Sequence, residues 1–223
     1  MVRLVELFGS PGAGKTSLAR AASCGPGMLT QAELTASWRR TAPREKAAHI
    51  RSALLDPACT RAAARLAFGA RLTSRDSLRR LARMVAKTEW LRSRSTALLL
   101  EQGYLQEIWS ILYSARRFEP DPKLLAPLLR AMYRGVSAQI VFIEVDPDIA
   151  TDRVGSRSNG KSRLDKMPRS QVRERLSDTS HLLRAIMSAA EAAGLEVAVM
   201  DGTAPVTQLA AQLQPVLDRA QEG

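Results

Sequence analysis

A glycine-rich segment near the start of the chain restricts the possible folds more than any other feature. Residues 9–16 read GSPGAGKT and fit the pattern G-x-x-x-x-G-K-[ST]. Such a loop encloses an anion with backbone N–H groups that point inward, and Gly9, Gly12 and Gly14 permit the positive φ angles that this requires. The pattern therefore predicts a loop that binds the phosphates of a nucleoside triphosphate.

The residues on either side of this loop support the same interpretation. Residues 2–8, VRLVELF, predict a buried strand that leads into the loop. Residues 15–23 predict a helix that ends at the following Cys-Gly-Pro, so the phosphates would lie at its positive end. A glycine-rich turn without a ligand is the alternative, and the strand–loop–helix order disfavours it.

The side chains of the loop have distinct expected roles. Lys15 supplies a positive charge for the β- and γ-phosphates, and the Thr16 hydroxyl is placed to bind Mg²⁺. We therefore expect ATP and Mg²⁺ as cofactors. The residues predicted to bind the nucleotide phosphates are Gly9, Gly12, Ala13, Gly14, Lys15, Thr16 and Ser17.

The length and cysteine content set further expectations. A chain of 223 residues predicts a single domain, residues 1–223, and no apolar run approaches the roughly 18 residues that span a membrane. The first strand begins at residue 2, which leaves no room for a signal peptide. Cys24 and Cys59 lack metal-binding spacing, so we expect reduced thiols and a cytoplasmic location.

The net charge of +11 raises the question of nucleic-acid binding. No aromatic-rich basic sheet, zinc-finger spacing or basic tail is present. Most of the cations are Arg, which can clamp a phosphate through two parallel hydrogen bonds. We therefore attribute the charge to phosphate handling together with the coding composition of the source genome, and nucleic acid is a disfavoured partner.

The alternation of apolar strands with helical stretches predicts an α/β fold of three layers around a mainly parallel five-stranded sheet. Residues 31–95 look entirely helical, and Pro43 and Asp56-Pro57 divide them into about three pieces. The predicted strands are residues 2–8, 27–30, 97–101, 140–145 and 195–200.

The last of these helical pieces, residues 74–94, has two faces of different chemistry. Its apolar face carries Leu78, Leu81 and Val85. On another face, Arg79, Arg83 and Lys87 recur at i, i+4 and i+8. These cations form either a solvated helix face or a clamp for an anionic second substrate, and both interpretations stay open.

Glu101 ends the predicted apolar strand at residues 97–101. A carboxylate at the carboxyl end of a parallel strand faces the crevice in which α/β proteins bind nucleotides. Glu101 is therefore the predicted ligand of Mg²⁺ through water, or the base that activates an acceptor hydroxyl. The alternative is a cap for the next helix, a role that suits Asp or Ser better.

Residues 153–167 contain glycine and a cation every few positions, which is typical of a mobile flap. Arginines on a flap that closes over a triphosphate neutralise charge on the transferred phosphoryl group and exclude water. We therefore expect Arg153, Arg157 and Arg163 to act in catalysis, with a solvated basic loop as the alternative. A single long helix is predicted next, at residues 168–193.

Nearly the whole chain resembles the P-loop kinases of the nucleoside-monophosphate-kinase superfamily, and within it the thymidylate-kinase-like branch. The resemblance implies a helical insertion at residues 31–95 on the acceptor side and a lid at residues 153–167. The segments that carry it are residues 9–16, residues 74–103 with their Leu-Leu-Glu-Gln-Gly end, residues 146–153 leading into Arg157 and Arg163, and residues 199–206.

The resemblance also implies roles for individual residues. Lys15 and the loop amides would hold the triphosphate, with Thr16 on Mg²⁺ and Glu101 as the acidic residue of the site. Arg157 and Arg163 would contact the transferred phosphoryl group, and Arg153 would lie at the base of the lid. The segment expected beside adenine contains Asp201, Thr203 and Pro205.

The chain departs from thymidylate kinases on the acceptor side. Gln102 stands where those enzymes have the Arg of an Asp-Arg pair, and residues 30–33 lack their Arg-Glu-Pro motif. The resemblance therefore leaves the acceptor open: a nucleotide, a sugar or sugar phosphate, or another metabolite with a hydroxyl group. The residues expected to bind it are Arg79, Arg83 and Gln102.

The leading hypothesis is thus an ATP- and Mg²⁺-dependent kinase that acts on a small-molecule acceptor, with a homodimer left open. The runner-up is a nucleotide-dependent switch or accessory ATPase that works with a protein or nucleic-acid partner. A third hypothesis is a non-catalytic nucleotide-binding module. The sequence contains no Asn-Lys-x-Asp motif for guanine, which favours ATP over GTP.

Overall fold

The computed structural model describes residues 2–22, 24–25, 27–115, 121–156 and 164–222. Its centre is a sheet of five strands in the order β2-β3-β1-β4-β5, and every neighbouring pair is parallel. This confirms the predicted α/β class. The strands are β1 (Val2–Gly9), β2 (Met28–Thr30), β3 (Ala97–Leu100), β4 (Val136–Glu144) and β5 (Glu196–Asp201).

Helices cover both faces of this sheet. The helices are α1 (Lys15–Ala21), α2 (Gln31–Arg40), α3 (Pro43–Leu55), α4 (Pro57–Gly69), α5 (Arg75–Arg92), α6 (Tyr104–Tyr113), α7 (Pro122–Met132), α8 (Pro147–Gly155), α9 (Arg169–Asp178), α10 (Ser180–Ala192) and α11 (Val206–Glu222). No helix within the described ranges is both long and apolar enough to cross a membrane.

Alternate residues of β1 face two different cores, as expected for a strand covered on both sides. Leu4 and Phe8 belong to the larger core, with α5, α6, α7 and α10. Val5 and Leu7 belong to the second core, with α1 and α11. The sheet is therefore the middle of three layers, and β1 is its central strand.

The helical insertion consists of four helices, α2 to α5, instead of the three pieces predicted. The additional break follows Gly69, where Arg71 adopts a left-handed conformation with φ 48°. Asp56 defines the preceding break, since its carboxylate accepts hydrogen bonds from the N–H groups of Ala58 and Cys59 at the start of α4. Arg134 then anchors this corner to the rest of the molecule through a 2.7 Å ion pair with Asp56.

The predicted single helix at residues 168–193 is wrong, because the structure breaks it at Thr179. The two halves have different packing partners. Val172 and Leu176 of α9 join a small core with α8, whereas Leu183 and Ile186 of α10 join the large core. A single straight helix could not pack its apolar side chains into both cores, so the chain turns at Thr179 between α9 and α10.

One strand boundary differs from the prediction by four residues, whereas the other boundaries that differ do so by one residue. β4 begins at Val136, four residues before the predicted start at residue 140. Its early residues pair with the start of β1, from Val2 with Val136 onwards. The first residues of β4 include Ser137 and Gln139 and do not form a continuous apolar run. The search for apolar runs therefore missed this part of the strand.

Candidate active site

The predicted site residues gather at the edge of the sheet where the parallel strands end. Gly9 at the end of β1 pairs with Ile143, and Glu144 at the end of β4 pairs with Asp201 at the end of β5. β3 ends at Leu100 on the other side of β1. The glycine-rich loop, Glu101 and the Asp201 segment therefore share one edge, which is where open α/β sheets bind ligands.

The glycine-rich loop has the backbone conformation that its sequence predicts. Gly12 and Gly14 both have φ 92°, in the left-handed region. A side chain at Gly12 would collide with the carbonyl oxygen of Ala150, so the loop packs tightly against α8. The N–H of Ala13 donates to the carbonyl of Ser10 at 3.1 Å, which closes the turn.

The basic and hydroxyl side chains of the loop lie at its mouth. The Lys15 ammonium donates to the carbonyl oxygens of Gly9 and Ser10, at 2.8 and 2.9 Å. The ammonium thus lies over the loop that is expected to hold the phosphates. Thr16 and Ser17 are exposed in the first turn of α1, where their hydroxyls are accessible from the crevice.

Arg153 joins three parts of the site. It lies near the end of α8, and its Nη1 donates to the carbonyl oxygen of Gly202 at 2.7 Å. The same nitrogen would lie 4.0 Å from a methyl group placed on Gly14. The base of the predicted lid is therefore beside the phosphate loop. Arg157 and Arg163, the other predicted lid arginines, lie outside the described residues.

The segment after β5 forms a compact turn. The Asp201 carboxylate accepts hydrogen bonds from the N–H and the hydroxyl of Thr203, at 2.9 and 2.7 Å, and these bonds lower the pKa of Asp201. The N–H of Gly202 donates to the carbonyl of Glu144 at 2.6 Å. Pro205 is exposed just before α11. The turn lies at the same edge as the phosphate loop, as predicted for a segment beside the nucleotide.

Glu101 follows β3 directly and carries a buried oxygen, Oε2, without a hydrogen-bond partner among the described residues. It lines a cavity of about 540 Å³ together with Arg39 and Arg40 of α2. A carboxylate oxygen that is buried and unsatisfied usually has a ligand, an ion or water as its partner. This observation supports the predicted role of Glu101 and disfavours the helix-cap alternative.

The side chains of the site also indicate how Mg²⁺ could be bound. The described residues contain no group of three or more His, Cys, Asp and Glu side chains that could enclose a metal ion. Mg²⁺ bound with a nucleotide needs only one or two protein oxygens, because phosphate oxygens and water complete its shell. Thr16 and Glu101 fit that requirement.

A separate cavity of about 170 Å³ lies between α2, α5 and α6, beside the end of β3. Aromatic and aliphatic residues form much of its wall, and Trp38 meets Trp90 edge-on at 5.0 Å between ring centroids. Gln102, predicted on the acceptor side, is part of this wall. The other charged, amide and aliphatic hydroxyl residues that line the cavity are Gln31, Thr35, Arg80, Arg83, Lys87 and Glu107.

The charges in this cavity are mostly positive. Arg80 pairs with Glu107, with 2.9 Å between Nε and Oε1. Burial lowers the pKa of Lys87, and Arg83 lowers it further, while Glu107 partly opposes them. Glu107 is shared between Arg80 and Lys87, and Arg83 forms no ion pair among the described residues, so positive charge exceeds negative charge and the cavity favours an anion.

Arg79, predicted with Arg83 as an acceptor-binding residue, is exposed and does not line the cavity. Arg80 takes that place. Residues 80, 83, 84, 87, 90 and 91 of α5 face the cavity, a stripe that includes Trp90. Of the predicted i, i+4, i+8 series, Arg83 and Lys87 line the cavity and Arg79 does not. An i, i+3, i+7 series that starts at Arg80 would have included all three cations of the wall.

Sequence reasoning also missed Glu6, a lone carboxylate within the apolar strand β1. Glu6 is 0% exposed. Its Oε1 accepts a hydrogen bond from the N–H of Leu105 at 2.7 Å, and the Tyr133 hydroxyl donates to Oε2. Burial raises the pKa of Glu6 to about 7, although these hydrogen bonds oppose the shift.

The sheet order, the phosphate loop and the ligand-binding edge together define a P-loop kinase fold. Two solved structures of deoxyadenosine kinase from M. mycoides are similar to this chain: one with products dCMP and a flexible dCDP bound, and one with bound dATP. Their TM-scores are 0.51 and 0.52, and their sequence identities are 13% and 12%. The matches cover 98% and 96% of this chain, and 100% and 99% of the other. No protein-family model and no curated protein matches the chain.

Proposed function

We propose that the chain transfers the γ-phosphoryl group of ATP, with Mg²⁺, to the hydroxyl group of a small anionic molecule. The observation that carries the proposal is the juxtaposition of the phosphate loop with a basic cavity at the same edge of the sheet. Glu101 follows β3 between them, and Gln102 lines the cavity. The likeness in fold to deoxyadenosine kinase supports phosphoryl transfer, and the thymidylate-kinase-like branch remains a prediction.

The donor side would work mainly by positioning and charge. The loop amides and Lys15 would hold the β- and γ-phosphates, and Arg153 would approach them from the base of the lid. Thr16 and Glu101 would hold Mg²⁺, which supplies charge neutralisation at the phosphates. Arg157 and Arg163 would complete the positive surroundings of the transferred group.

On the acceptor side, the alternative role of Glu101 is that of the base that would accept the proton of the attacking hydroxyl. The acceptor oxygen forms a bond to the γ-phosphorus, and the bond from that phosphorus to the β–γ bridging oxygen breaks. ADP leaves with the electron pair of the broken bond. Arg83 and Lys87 would hold the anionic group of the acceptor and keep its hydroxyl in line with the phosphorus.

The distribution of charge along the sequence supports an anionic acceptor. Residues 31–95 contain 15 Lys and Arg against 5 Asp and Glu, a net charge of +10. The other residues contain 18 against 17, a net charge of +1. Coding composition would spread its effect over the whole chain, so it does not explain this concentration. The charge belongs to the acceptor-side insertion.

The walls of the cavity indicate what else the acceptor carries. Trp90 Nε1 and Gln31 Oε1 are buried without a hydrogen-bond partner among the described residues, so they offer one donor and one acceptor. The edges of Trp38 and Trp90 favour a flat or apolar portion. Nucleotides combine these properties with a free hydroxyl group, whereas sugar phosphates share the anionic group and the hydroxyl but have no flat or apolar portion.

The proposal is tested by measuring ATP consumption with Mg²⁺ in the presence of pooled acceptors. The pools are nucleosides, nucleoside monophosphates, sugars and sugar phosphates, each with wild-type protein and Lys15→Ala. Stimulation by a phosphorylated pool, absent in Lys15→Ala, is the expected result. The switch hypothesis predicts hydrolysis that responds to no pool, and stimulation by neutral pools alone would contradict the anionic acceptor.

A further inference from the structure

The Glu6 carboxylate has surroundings that differ from those of an ordinary buried acid. Within the described residues, no Lys, Arg or His side chain forms an ion pair with it. Its neighbours along the sheet are apolar, since Glu6 pairs with Leu100 of β3 and Ile140 of β4. Burying a carboxyl group in such a place is costly, so the groups that hydrogen-bond to it decide its role.

Those groups come from α6 and from the end of α7. The N–H groups of Tyr104, Leu105 and Gln106, in the first turn of α6, favour the ionised carboxylate, as does the Tyr133 hydroxyl. α6 has Gly103 as its N-cap and no side-chain cap of its own. The cap is therefore supplied from the central strand, and a negative charge is stabilising at this end of a helix.

The turn before α6 lies against the same carboxylate. A side chain at Gly103 would collide with the Glu6 carboxyl group, so glycine is required for the approach. This turn contains Glu101 and Gln102. Both the turn and the first residues of α6 belong to the candidate site, because Gln102, Tyr104 and Glu107 line the acceptor cavity and Glu101 lines the cavity beside it.

We infer that Glu6 is a positioning residue for acceptor binding: its carboxylate fixes the turn at residues 101–103 and the start of α6, and thereby the wall of the acceptor cavity. The inference rests on the proposed function. Glu6 is buried behind the turn, so it acts through Gln102, Tyr104 and Glu107 without touching the acceptor itself.

Other titratable groups near Glu6 do not compete with it around neutral pH. Tyr104 of α6 and Tyr133 at the end of α7 face it, and burial raises the pKa of both hydroxyls. Arg92 and Cys59 also affect the pKa of Tyr104: Arg92 lowers it and Cys59 raises it. Because both tyrosines stay neutral, a change of charge at this place between pH 6 and 8 is assigned to Glu6.

The test compares Glu6→Gln with wild type in steady-state kinetics from pH 6 to 8.5. We expect the acceptor KM of the variant to be about 10-fold higher and the ATP KM to rise less, because the negative charge that holds α6 is lost and three of the positioned residues, Gln102, Tyr104 and Glu107, line the acceptor cavity. We also expect the wild-type acceptor KM to fall as pH rises through about 7, and the variant to lack this change. Ionisation of the acceptor itself changes the acceptor KM equally in both proteins. Subtracting the pH profile of Glu6→Gln from that of wild type therefore leaves the effect of Glu6.

Two further variants separate positioning from stability. Asp56→Asn removes another buried acid that caps a helix, α4, and that does not line the cavity. It should lower stability and leave the acceptor KM unchanged. Tyr133→Phe removes a hydrogen bond that lowers the pKa of Glu6, so it should move the pH midpoint of the acceptor KM upwards.

The inference is overturned if Glu6→Gln keeps the wild-type acceptor KM and pH profile, or if it raises both KM values equally. A readout independent of activity is hydrogen exchange at the N–H of Leu105, which should be faster in Glu6→Gln than in wild type. Faster exchange without any acceptor-stimulated turnover in wild type would contradict the proposed function and leave the capping role of Glu6 intact. Unchanged exchange would contradict the capping role.

Discussion

At the residue scale, the ammonium of Lys15 is the charge that the phosphate loop presents to its ligand. It is held by two carbonyl oxygens of its own loop, those of Gly9 and Ser10, at hydrogen-bonding distance. Carbonyl groups orient the ammonium without neutralising it. Phosphate oxygens are stronger acceptors than a peptide carbonyl, so we expect the ammonium to donate to them when a nucleotide binds.

Replacing this charge should stop the reaction. We expect Lys15→Ala to lower kcat at least about 100-fold, because removal of one group that stabilises transition-state charge typically has an effect of this size. Steady-state turnover with the identified acceptor measures it. Lys123→Ala, an exposed lysine at the start of α7, is the control and should retain turnover. Wild-type turnover in Lys15→Ala would refute the catalytic assignment.

The cations of α5 provide a second test at this scale. Arg83→Ala should raise the acceptor KM by about 10-fold or more and leave the ATP KM unchanged, because it removes a charge that has no carboxylate partner in the cavity. Arg79→Ala, four residues earlier and exposed, should change the acceptor KM less than about 2-fold. An equal effect of both changes would mean that the wrong stripe of α5 has been assigned to the acceptor.

The ionisation of Glu6 also has a consequence for stability. Its pKa is about 7 in the folded protein, above its value of 4.5 in a model peptide, so the protonated form is favoured by folding. This contribution is fully present below pH 4.5 and is lost as pH rises to 7, by roughly 3 kcal/mol at most. Urea unfolding at pH 5 and pH 8 measures it. Glu6→Gln should lack this part of the pH dependence, and an identical dependence in both proteins would argue against the raised pKa.

At the element scale, the corner between α3 and α4 depends on Asp56. The carboxylate caps α4 and pairs with Arg134 and Arg92, and these contacts hold its pKa below the usual value in spite of burial. Stability from this group is therefore present at neutral pH and is lost as the pH falls through the range in which Asp is protonated.

Asp56→Asn should lower the free energy of unfolding by roughly 2 kcal/mol, the combined effect of a weakened cap and an uncompensated cation. Chemical denaturation at pH 7 measures the change. Asp121→Asn, which weakens an exposed cap of α7, is the matched control and should have a smaller effect, since water replaces the lost contact there. A larger effect for Asp121→Asn would contradict the importance of burial.

The strands and helices also show how much of the fold could be predicted from the sequence. The five strands were predictable because four of them are apolar runs bounded by turns, and the phosphate loop placed the first of them. The break at Thr179 was not predictable, since both halves of the predicted helix have helical periodicity and only their separate packing partners demand a turn. That Arg80 lines the cavity and Arg79 does not was hidden for the same reason: it depends on where α2 and α6 lie.

Glu6 illustrates a different limit. A single carboxylate in an apolar strand was visible in the sequence, but its partners, the N–H groups of α6 and the hydroxyl of Tyr133, come from distant parts of the chain. Periodicity describes one element at a time and contains no information on such contacts. The phosphate loop was easier because all of its functional groups lie within eight consecutive residues.

At the scale of the whole molecule, charge is distributed very unevenly. Residues 31–95 carry a net charge of +10 of the total of +11. A field concentrated around one cavity raises the local concentration of anions and the rate at which they arrive. We therefore expect kcat/KM for the acceptor to fall several-fold between about 20 and 200 mM salt, because the Debye length shrinks over this range.

The comparison protein for the salt experiment is the double variant Arg39→Glu/Arg40→Glu. Both arginines belong to α2 and line the same cavity as Glu101. The double variant should weaken the salt dependence while the ATP KM remains that of wild type. Salt-independent kcat/KM in the wild type would show that the charge of the insertion does not guide the acceptor.

The order of the strands also determines when this protein can fold during its synthesis. β1 is translated before β3 and β4, yet Leu4 pairs with Leu98 and Val2 with Val136, so both neighbours of the central strand are made much later. Until β4 has been translated, the nascent chain has a central strand with at least one unpaired, apolar edge. Such edges are sites of misassociation. The phosphate loop follows β1, but the sheet edge to which it belongs is complete only after β4 and β5 have been translated.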